Sequence, residues 1–306
     1  MIYTDEMINN MNHEELIDLC RRQRTLIDAN NLSSQLSDNY QEDPNNINKY
    51  SWQTIQKMVR QGDAPKYFKL GDYLKVWYKG GYHQVQIVSF DTETITDGAE
   101  HSMTLLFEHS VEFLPYAEIS PDLYETQQWP SFYPYYGTSN IHEFLNCNDK
   151  KNKAYKGLSD NKDYAFNSFT DGFICNLDRD FYNVVADTNI LYKYSKEGYY
   201  TRVGDKFYLP SVENITNTSD TYIKTFELYK DDNICKYSGQ MMTYVSHVAG
   251  FQEEPLLVPI FKELLRDEDF SFNNSVRYTT HLDCDNFTYR GCPCDWYGIR
   301  PCCNIA

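Results

Sequence analysis

A short apolar stripe near the start of the chain is its first regular pattern. Leu16, Leu19, Gln23 and Leu26 recur at the spacing of heptad positions a and d, opposite a charged face. The pattern predicts an N-terminal helix over residues 1–30. Two heptads are too short for an independently stable coiled coil, so the stripe should pack on the chain's own body, a sister subunit or a docking partner. The last two alternatives make these four residues an oligomerisation or docking surface.

Residues 31–50 show no periodicity, and they are polar and rich in Asn. Such a stretch is typical of a linker between domains. The sequence therefore predicts a polar linker over residues 31–50, followed by one compact domain over residues 51–306.

The body begins with a predicted helix and continues mainly with strands. Ser51 is a good N-cap, and Trp52 and Ile55 start an apolar face that ends before Gly62. The run Lys79-Gly80-Gly81 is a hairpin turn signal. Strands are predicted over residues 73–78, 84–90, 103–107, 207–209 and 222–229.

Two further helices are predicted, over residues 141–145 and 261–265. The last thirty residues are short strand pieces broken by turn residues, and Tyr297, Ile299 and Ile305 predict a final alternating strand. The expected fold class is α+β, with small irregular antiparallel sheets and long loops behind an N-terminal helix.

Aromatic residues dominate the composition, with 27 Tyr and 17 Phe. Most should be ordinary strand residues, because aromatic side chains favour strands. Exposed Tyr and Trp also give a binding surface a large contact area at low entropic cost. Trp77, Trp129 and Trp296 are therefore candidates for an aromatic platform that binds a carbohydrate or a peptide.

The charge of the chain limits its partners. Asp and Glu number 44 against 28 Lys and Arg, for a net charge of −16, and such a surface repels nucleic-acid phosphate. The sequence has no run of about 18 apolar residues, so no membrane span is expected. The first residues lack the basic and apolar regions of a signal peptide, so synthesis in a cytoplasm is expected.

No motif for catalysis or tight metal binding is found. The tail holds Cys284, Cys292, Cys294, Cys302 and Cys303, but this spacing is unlike that of zinc sites. A structural zinc, one disulfide and free thiols remain open, with free thiols favoured. The acidic residues do not follow the EF-hand pattern, so no cofactor is expected beyond loosely bound calcium.

Several segments, taken in order, resemble a domain family of unknown function that is frequent in bacteriophages and in gut bacteria carrying prophages. The resemblance covers about residues 51–306, and it ends in a Gly-x-Arg-Pro motif formed by Gly298, Arg300 and Pro301 after Tyr297. The other matching segments are residues 52–72, 101–105, 139–146 and 207–211.

The resemblance implies a distant likeness to the C-type-lectin-like fold, which is shared with formylglycine-generating enzymes. It assigns the closing Tyr297–Pro301 segment to completion of the fold. Arg300 is expected to make a buried ion pair or to bond backbone carbonyl groups.

In bacteriophages, domains of this kind commonly belong to virion proteins. The expected function is a non-enzymatic structural protein: a head or tail fibre, a capsid decoration or a receptor-binding subunit. It would be made in the host cytoplasm and located in the virion. Its partners would be other virion proteins, further copies of the chain (three in a fibre) and a host-surface glycan. The alternatives are a carbohydrate- or peptide-binding module and, less favoured, an enzyme of the formylglycine-generating type that uses the tail cysteines.

Overall fold

The computed structural model describes residues 40–115, 136–148, 171–195, 198–216, 222–230, 242–245, 256–259, 263–269, 275–279, 288–291 and 296–306. By internal contacts the chain divides into two units, Met1–Tyr50 and Ser51–Ala306. In the first unit, residues 40–50 form turns in which the Asp43 N–H donates to the Lys49 carbonyl at 2.6 Å. All helices and strands named below belong to the second unit.

The helices are short. The first helix begins after Ser51, whose Oγ accepts a hydrogen bond from the Thr54 N–H at 3.2 Å. Its apolar face is buried, and the centroid of the Trp52 ring lies 4.7 Å from that of the Phe181 ring. The described α-helices are α1 (Trp52–Arg60), α2 (Ala64–Tyr67), α3 (Asn140–Leu145), α4 (Arg179–Val184) and α5 (Val212–Ile215), with 3₁₀ turns at Tyr136–Thr138, Ile174–Asn176 and Glu227–Tyr229.

The strands are also short, and few exceed eight residues. In chain order the described strands are β1 (Tyr73–Tyr78), β2 (Gly81–Phe90), β3 (Thr94–Ile95), β4 (Met103–Phe107), β5 (Glu112–Pro115), β6 (Thr188–Ser195), β7 (Gly198–Asp205), β8 (Phe207–Tyr208), β9 (Met242–Val245), β10 (Leu256–Pro259), β11 (Glu263–Asp269), β12 (Ser275–Thr279), β13 (Thr288–Gly291), β14 (Trp296–Ile299) and β15 (Cys302–Ile305).

One five-stranded antiparallel sheet has the order β1-β2-β4-β15-β8. Its fourth strand comes from the end of the chain: β15 lies between β4 and β8, where Cys303 pairs with Leu105 on one side and Phe207 on the other. The last residues are buried as a result, and Ile305 has no exposed surface.

A second sheet has the order β13-β12-β11-β14-β5. It is antiparallel except where β11 and β14 meet in parallel at Glu263 and Gly298. The strands β3, β6 and β7 form a three-stranded sheet, and β9 pairs with β10. The described elements confirm the predicted α+β class with small antiparallel sheets.

Aromatic rings fill the core of the described residues around Phe173. Its ring centroid lies 4.9 Å from that of Tyr78, 5.7 Å from Phe107, 6.1 Å from Phe144 and 5.0 Å from Phe207. Tilted and edge-on contacts at these distances are the favourable arrangements of aromatic pairs. Part of the high aromatic content is therefore core packing.

Two predicted elements are wrong. Residues 222–229, predicted as a strand, form bends and the 3₁₀ turn Glu227–Tyr229. The Phe226 N–H is bonded instead to the Asn214 carbonyl at 2.8 Å, which anchors the segment to α5. The predicted helix over 261–265 falls largely on β11, because pairing with β12 outweighs a short apolar run that fits either structure.

Candidate ligand-binding face

The β1–β2 hairpin turns through two residues in the left-handed region. Lys79 has a φ of 46° and Gly80 a φ of 83°, the conformation of a type I′ turn, which glycine adopts without strain. The predicted hairpin is present, but its second strand begins at Gly81, which pairs with Tyr78, rather than at residue 84. This register determines which side chains of the two strands lie opposite each other.

Alternation along β1 and β2 exposes one side of the hairpin and buries the other. Buried residues such as Val76 and Val85 point into the core. On the other side, three cross-strand pairs form what we call the hairpin face. The pairs are Tyr73 with Gln86, Lys75 with Gln84, and Trp77 with Tyr82.

The aromatic residues of the hairpin face are large, exposed and fixed in position. Tyr73 and Trp77 are each 42% exposed and Tyr82 is 51% exposed. The Trp77 and Tyr82 rings meet edge to face, with centroids 5.0 Å apart at 79°. The Gln86 Nε2 donates to the Tyr73 hydroxyl at 3.0 Å. The hairpin face therefore exposes aromatic rings beside the side-chain amides of Gln84 and Gln86, which can both donate and accept hydrogen bonds.

The face is polar with little charge, because Lys75 is the one ionic member of the six. Burial raises the pKa of the Tyr73 phenol, and the nearby Glu108 carboxylate raises it further, against opposing effects of Arg300 and the Gln86 hydrogen bond. Tyr73 therefore keeps its proton at neutral pH and remains both donor and acceptor.

Contacts beside the hairpin hold its tip in place. The Asp178 N–H donates to the Trp77 carbonyl at 2.9 Å, and Tyr78 forms an isolated antiparallel bridge with Leu177. The Lys79 Nζ is ion-paired with the Glu112 carboxylate of β5. The face is thus presented by a restrained backbone, which lowers the entropy lost on binding.

Of the remaining ligand and docking candidates, Trp296 is the one that the structure describes. Trp296 begins β14 in the second sheet, where its backbone pairs with Pro115, so it and Trp77 lie in different sheets. Trp129 lies outside the described residues. The same is true of the predicted docking residues Leu16, Leu19, Gln23 and Leu26.

The closing segment differs from the single strand that was predicted. Tyr297 and Gly298 lie in β14 and pair with β5, whereas Ile305 lies in β15 of the other sheet. The chain crosses between the sheets at Arg300 and Pro301, because proline cannot donate to a sheet ladder. Arg300 is 2% exposed, and its Nε donates to the Phe107 carbonyl at 2.6 Å, a bond of the carbonyl type expected from the sequence.

Two of the tail cysteines, Cys302 and Cys303, are described; both are buried in β15 and neither forms a disulfide. Burial, and then the neighbouring Cys302, raise the pKa of the Cys303 thiol well above its usual range. Cys284, Cys292 and Cys294 lie outside the described residues. Within the described ranges, no group of three or more His, Cys, Asp or Glu side chains is placed to hold a metal ion.

A buried His–Asp pair was not predicted. The His142 Nε2 lies 2.8 Å from the Asp205 Oδ1, and the two side chains are only 5% and 4% exposed. The His142 ring also meets the edge of Tyr136 at 5.6 Å. Such a pair resembles part of a catalytic relay, but this one joins α3 to the end of β7 within the core. We therefore assign it to stability.

Most of the hairpin face was missed from the sequence because only Trp77 was singled out. A sufficient signal was present: the Lys79-Gly80 turn determines the register, and alternation then places Tyr82 beside Trp77.

Comparison of the chain with family models, with curated proteins and with solved structures finds no match. None of the described helices has the length and apolarity needed to cross a membrane.

Proposed function

We propose that the chain is a non-enzymatic structural protein of a bacteriophage virion whose hairpin face binds a carbohydrate of the host surface. The observation that carries the binding role is the exposed Trp77–Tyr82 pair, flanked by Gln84 and Gln86 on a restrained sheet. The virion role rests on the sequence resemblance and its closing motif.

A carbohydrate fits the chemistry of the hairpin face better than an apolar ligand does. Pyranose rings offer C–H faces that lie against aromatic rings, and hydroxyls that pair with groups able to donate and accept. Gln84 and Gln86 supply amides, and Tyr73 supplies a hydroxyl. The aromatic side chains of the face are exposed on a sheet surface, which suits a segment of a surface polysaccharide more than a small enclosed ligand.

The proposed virion role also implies a particular fold and a way of assembling with other proteins. We propose a C-type-lectin-like arrangement for residues 51–306, supported by the small antiparallel sheets and by insertion of the last strand beside β4. The helix predicted over residues 1–30 would join copies of the chain or dock it onto other virion proteins. No cofactor is required, and any calcium would be bound loosely.

A glycan array of bacterial surface polysaccharides tests the binding role. The full chain should bind a subset of the glycans, and Trp77→Ala should weaken that binding by about tenfold or more, because truncating a central aromatic anchor costs at least about 1.4 kcal/mol. Tyr222→Ala removes a tyrosine that is 65% exposed outside the hairpin and should leave binding unchanged. Binding by Trp77→Ala equal to that of the wild type would contradict the assignment.

Purified particles of the encoding phage test the virion role independently. The chain should be recovered by mass spectrometry from particles banded in a density gradient. Light scattering should find an oligomer for the full chain and a monomer after deletion of residues 1–50. Recovery of the chain in the lysate but not in the particles would refute the virion role, while leaving the glycan result intact.

A further inference from the structure

One buried ion pair links the tip of the β1–β2 hairpin to β5 of the second sheet. The Lys79 Nζ contacts the Glu112 Oε1 directly, and the two side chains are only 20% and 12% exposed. In the surface pair of Lys66 with Asp63, by contrast, the lysine side chain is 72% exposed. Water is therefore largely excluded from the Lys79–Glu112 pair.

Backbone contacts restrain both members of this pair. Lys79 lies in the left-handed turn of the hairpin, where its N–H donates to the Asn176 carbonyl at 3.2 Å. Glu112 begins β5 and pairs with Ile299 of β14. The Lys79 Nζ also lies 5.7 Å from the centroid of the buried Tyr78 ring. The amine and the carboxyl group are thus held in contact, and such proximity removes most of the entropic cost of a reaction between them.

Burial of the pair favours the loss of both charges. It lowers the pKa of the Lys79 ammonium to about 8, against the raising effects of Asp171 and then Cys175. About a tenth of the amine is therefore neutral at pH 7, and the neutral amine is the nucleophilic form. Two buried charges carry a large desolvation cost, whereas a neutral amide is less costly to bury. Conversion of the ion pair into an amide would therefore relieve that cost.

We propose that Lys79 and Glu112 condense into an isopeptide bond that crosslinks the hairpin tip to β5. A proton passes from the ammonium to the carboxylate, and the amine nitrogen then attacks the carboxyl carbon. A C–N bond forms and a C–O bond breaks, and the oxygen leaves as water with the two protons that the nitrogen loses. The reaction consumes no oxidant or external reactant. Asp171, whose charge acts on the Lys79 ammonium, is a second carboxylate that can carry a proton from the nitrogen to the leaving oxygen.

The bond would join two sheets covalently. β1 and β2 belong to the sheet that carries the hairpin face, whereas β5 belongs to the second sheet, beside β14 and Gly298 of the closing motif. Like a disulfide, such a crosslink restricts the unfolded chain, but reducing agents do not cleave it. The proposal does not depend on what the hairpin face binds or on the virion role.

Mass spectrometry of the purified full chain tests the proposal. The denatured wild-type chain should be lighter than its sequence by the mass of one water molecule. Trypsin should not cleave after Lys79, and chymotrypsin, which cuts between the two residues, should release two peptides joined through Lys79 and Glu112. A chain of full mass that trypsin cleaves after Lys79 would overturn the proposal and leave the contact as an ordinary ion pair.

Two matched substitutions locate the bond. Lys79→Arg keeps the positive charge, but the guanidinium stays protonated and is not a nucleophile, so this variant should have its full mass. Lys66→Arg makes the same change in the exposed pair with Asp63 and should keep the loss of water. Loss of water that persists in Lys79→Arg would assign it to another site and contradict the proposal. If Lys79→Arg does not fold, the measurements on the wild-type chain decide alone.

Discussion

At the scale of single residues, buried polar side chains in the core are held by specific partners. Asn304 is fully buried in β15, where its Oδ1 accepts from the Thr104 hydroxyl at 2.7 Å. Its Nδ2 donates to the Tyr208 hydroxyl at 3.0 Å and to the Thr188 hydroxyl at 3.2 Å. One amide therefore joins three strands of the first sheet to β6 of another.

Loss of the Asn304 amide should be costly. Asn304→Ala removes one buried hydrogen bond from each of three hydroxyls, and we expect the free energy of unfolding to fall by about 3 kcal/mol. Urea denaturation measures the change. Asn189→Ala, which removes a long 3.4 Å surface bond to Thr96, should cost less than about 0.5 kcal/mol. Equal losses in the two variants would show that the buried network does not contribute as described.

His83 should make stability depend on pH. Burial, and then the neighbouring His109, lower the pKa of His83 to about 4, against a raising hydrogen bond with the Tyr78 backbone. Below its ordinary pKa of about 6.5, the unfolded chain binds a proton that the folded chain does not. With respect to His83, the free energy of unfolding is therefore highest above about pH 6.5 and decreases as the pH falls towards 4.

The size of the His83 effect can be measured by subtraction. Between pH 7 and pH 4.5, protonation of His83 in the unfolded chain should lower the free energy of unfolding by about 2 kcal/mol. The free energy of unfolding of His83→Gln should lose correspondingly less than that of the wild type over the same interval. If both proteins lose the same amount, the acid sensitivity arises from other groups.

At the scale of elements, the sequence predicted structure best where the signals were local. α1 has a capping serine and one apolar face, and β1 and β4 match their predicted bounds. The β6–β7 pair was not predicted, although its strands form a local hairpin in which Ser195 lies opposite Gly198. α4 was missed because its stability comes from long-range contacts such as that between Trp52 and Phe181. The strand predicted over residues 222–229 was wrong for the same reason, since a hydrogen bond from Phe226 to Asn214 in α5 holds this segment in another conformation.

The junction between α3 and the 3₁₀ turn at Ile174–Asn176 requires a residue without a side chain. A Cβ at Gly172 would lie 2.4 Å from the Cys147 carbonyl oxygen, and backbone cannot move aside cheaply. Gly172→Ala should therefore lower the free energy of unfolding by roughly 3 kcal/mol, as expected for overpacking. Gly81→Ala, where no heavy atom lies within 4 Å, is the control and should have a small effect. A stable Gly172→Ala protein would show that this junction is looser than described.

At the scale of the whole molecule, the candidate site was partly predictable because its residues are close in sequence. The turn at Lys79 and Gly80 brings Trp77 and Tyr82 together over five positions, whereas the bond from Arg300 to Phe107 spans 193 positions. Sequence patterns define a hairpin, but they do not show which distant strand completes the sheet. For that reason Trp296 was grouped with Trp77, although the two lie in different sheets.

The central claim, that the hairpin face is the ligand-binding surface, can be tested on the four tryptophans of the chain. Each indole N–H gives one signal in a ¹H–¹⁵N correlation spectrum, assigned by single Trp→Phe variants. The probe is an oligosaccharide captured on the glycan array. We predict that titration shifts the Trp77 signal in a saturable manner and leaves that of Trp52, which is 6% exposed, in place. A Trp77 signal that stays fixed while that of Trp129 or Trp296 moves would contradict the account.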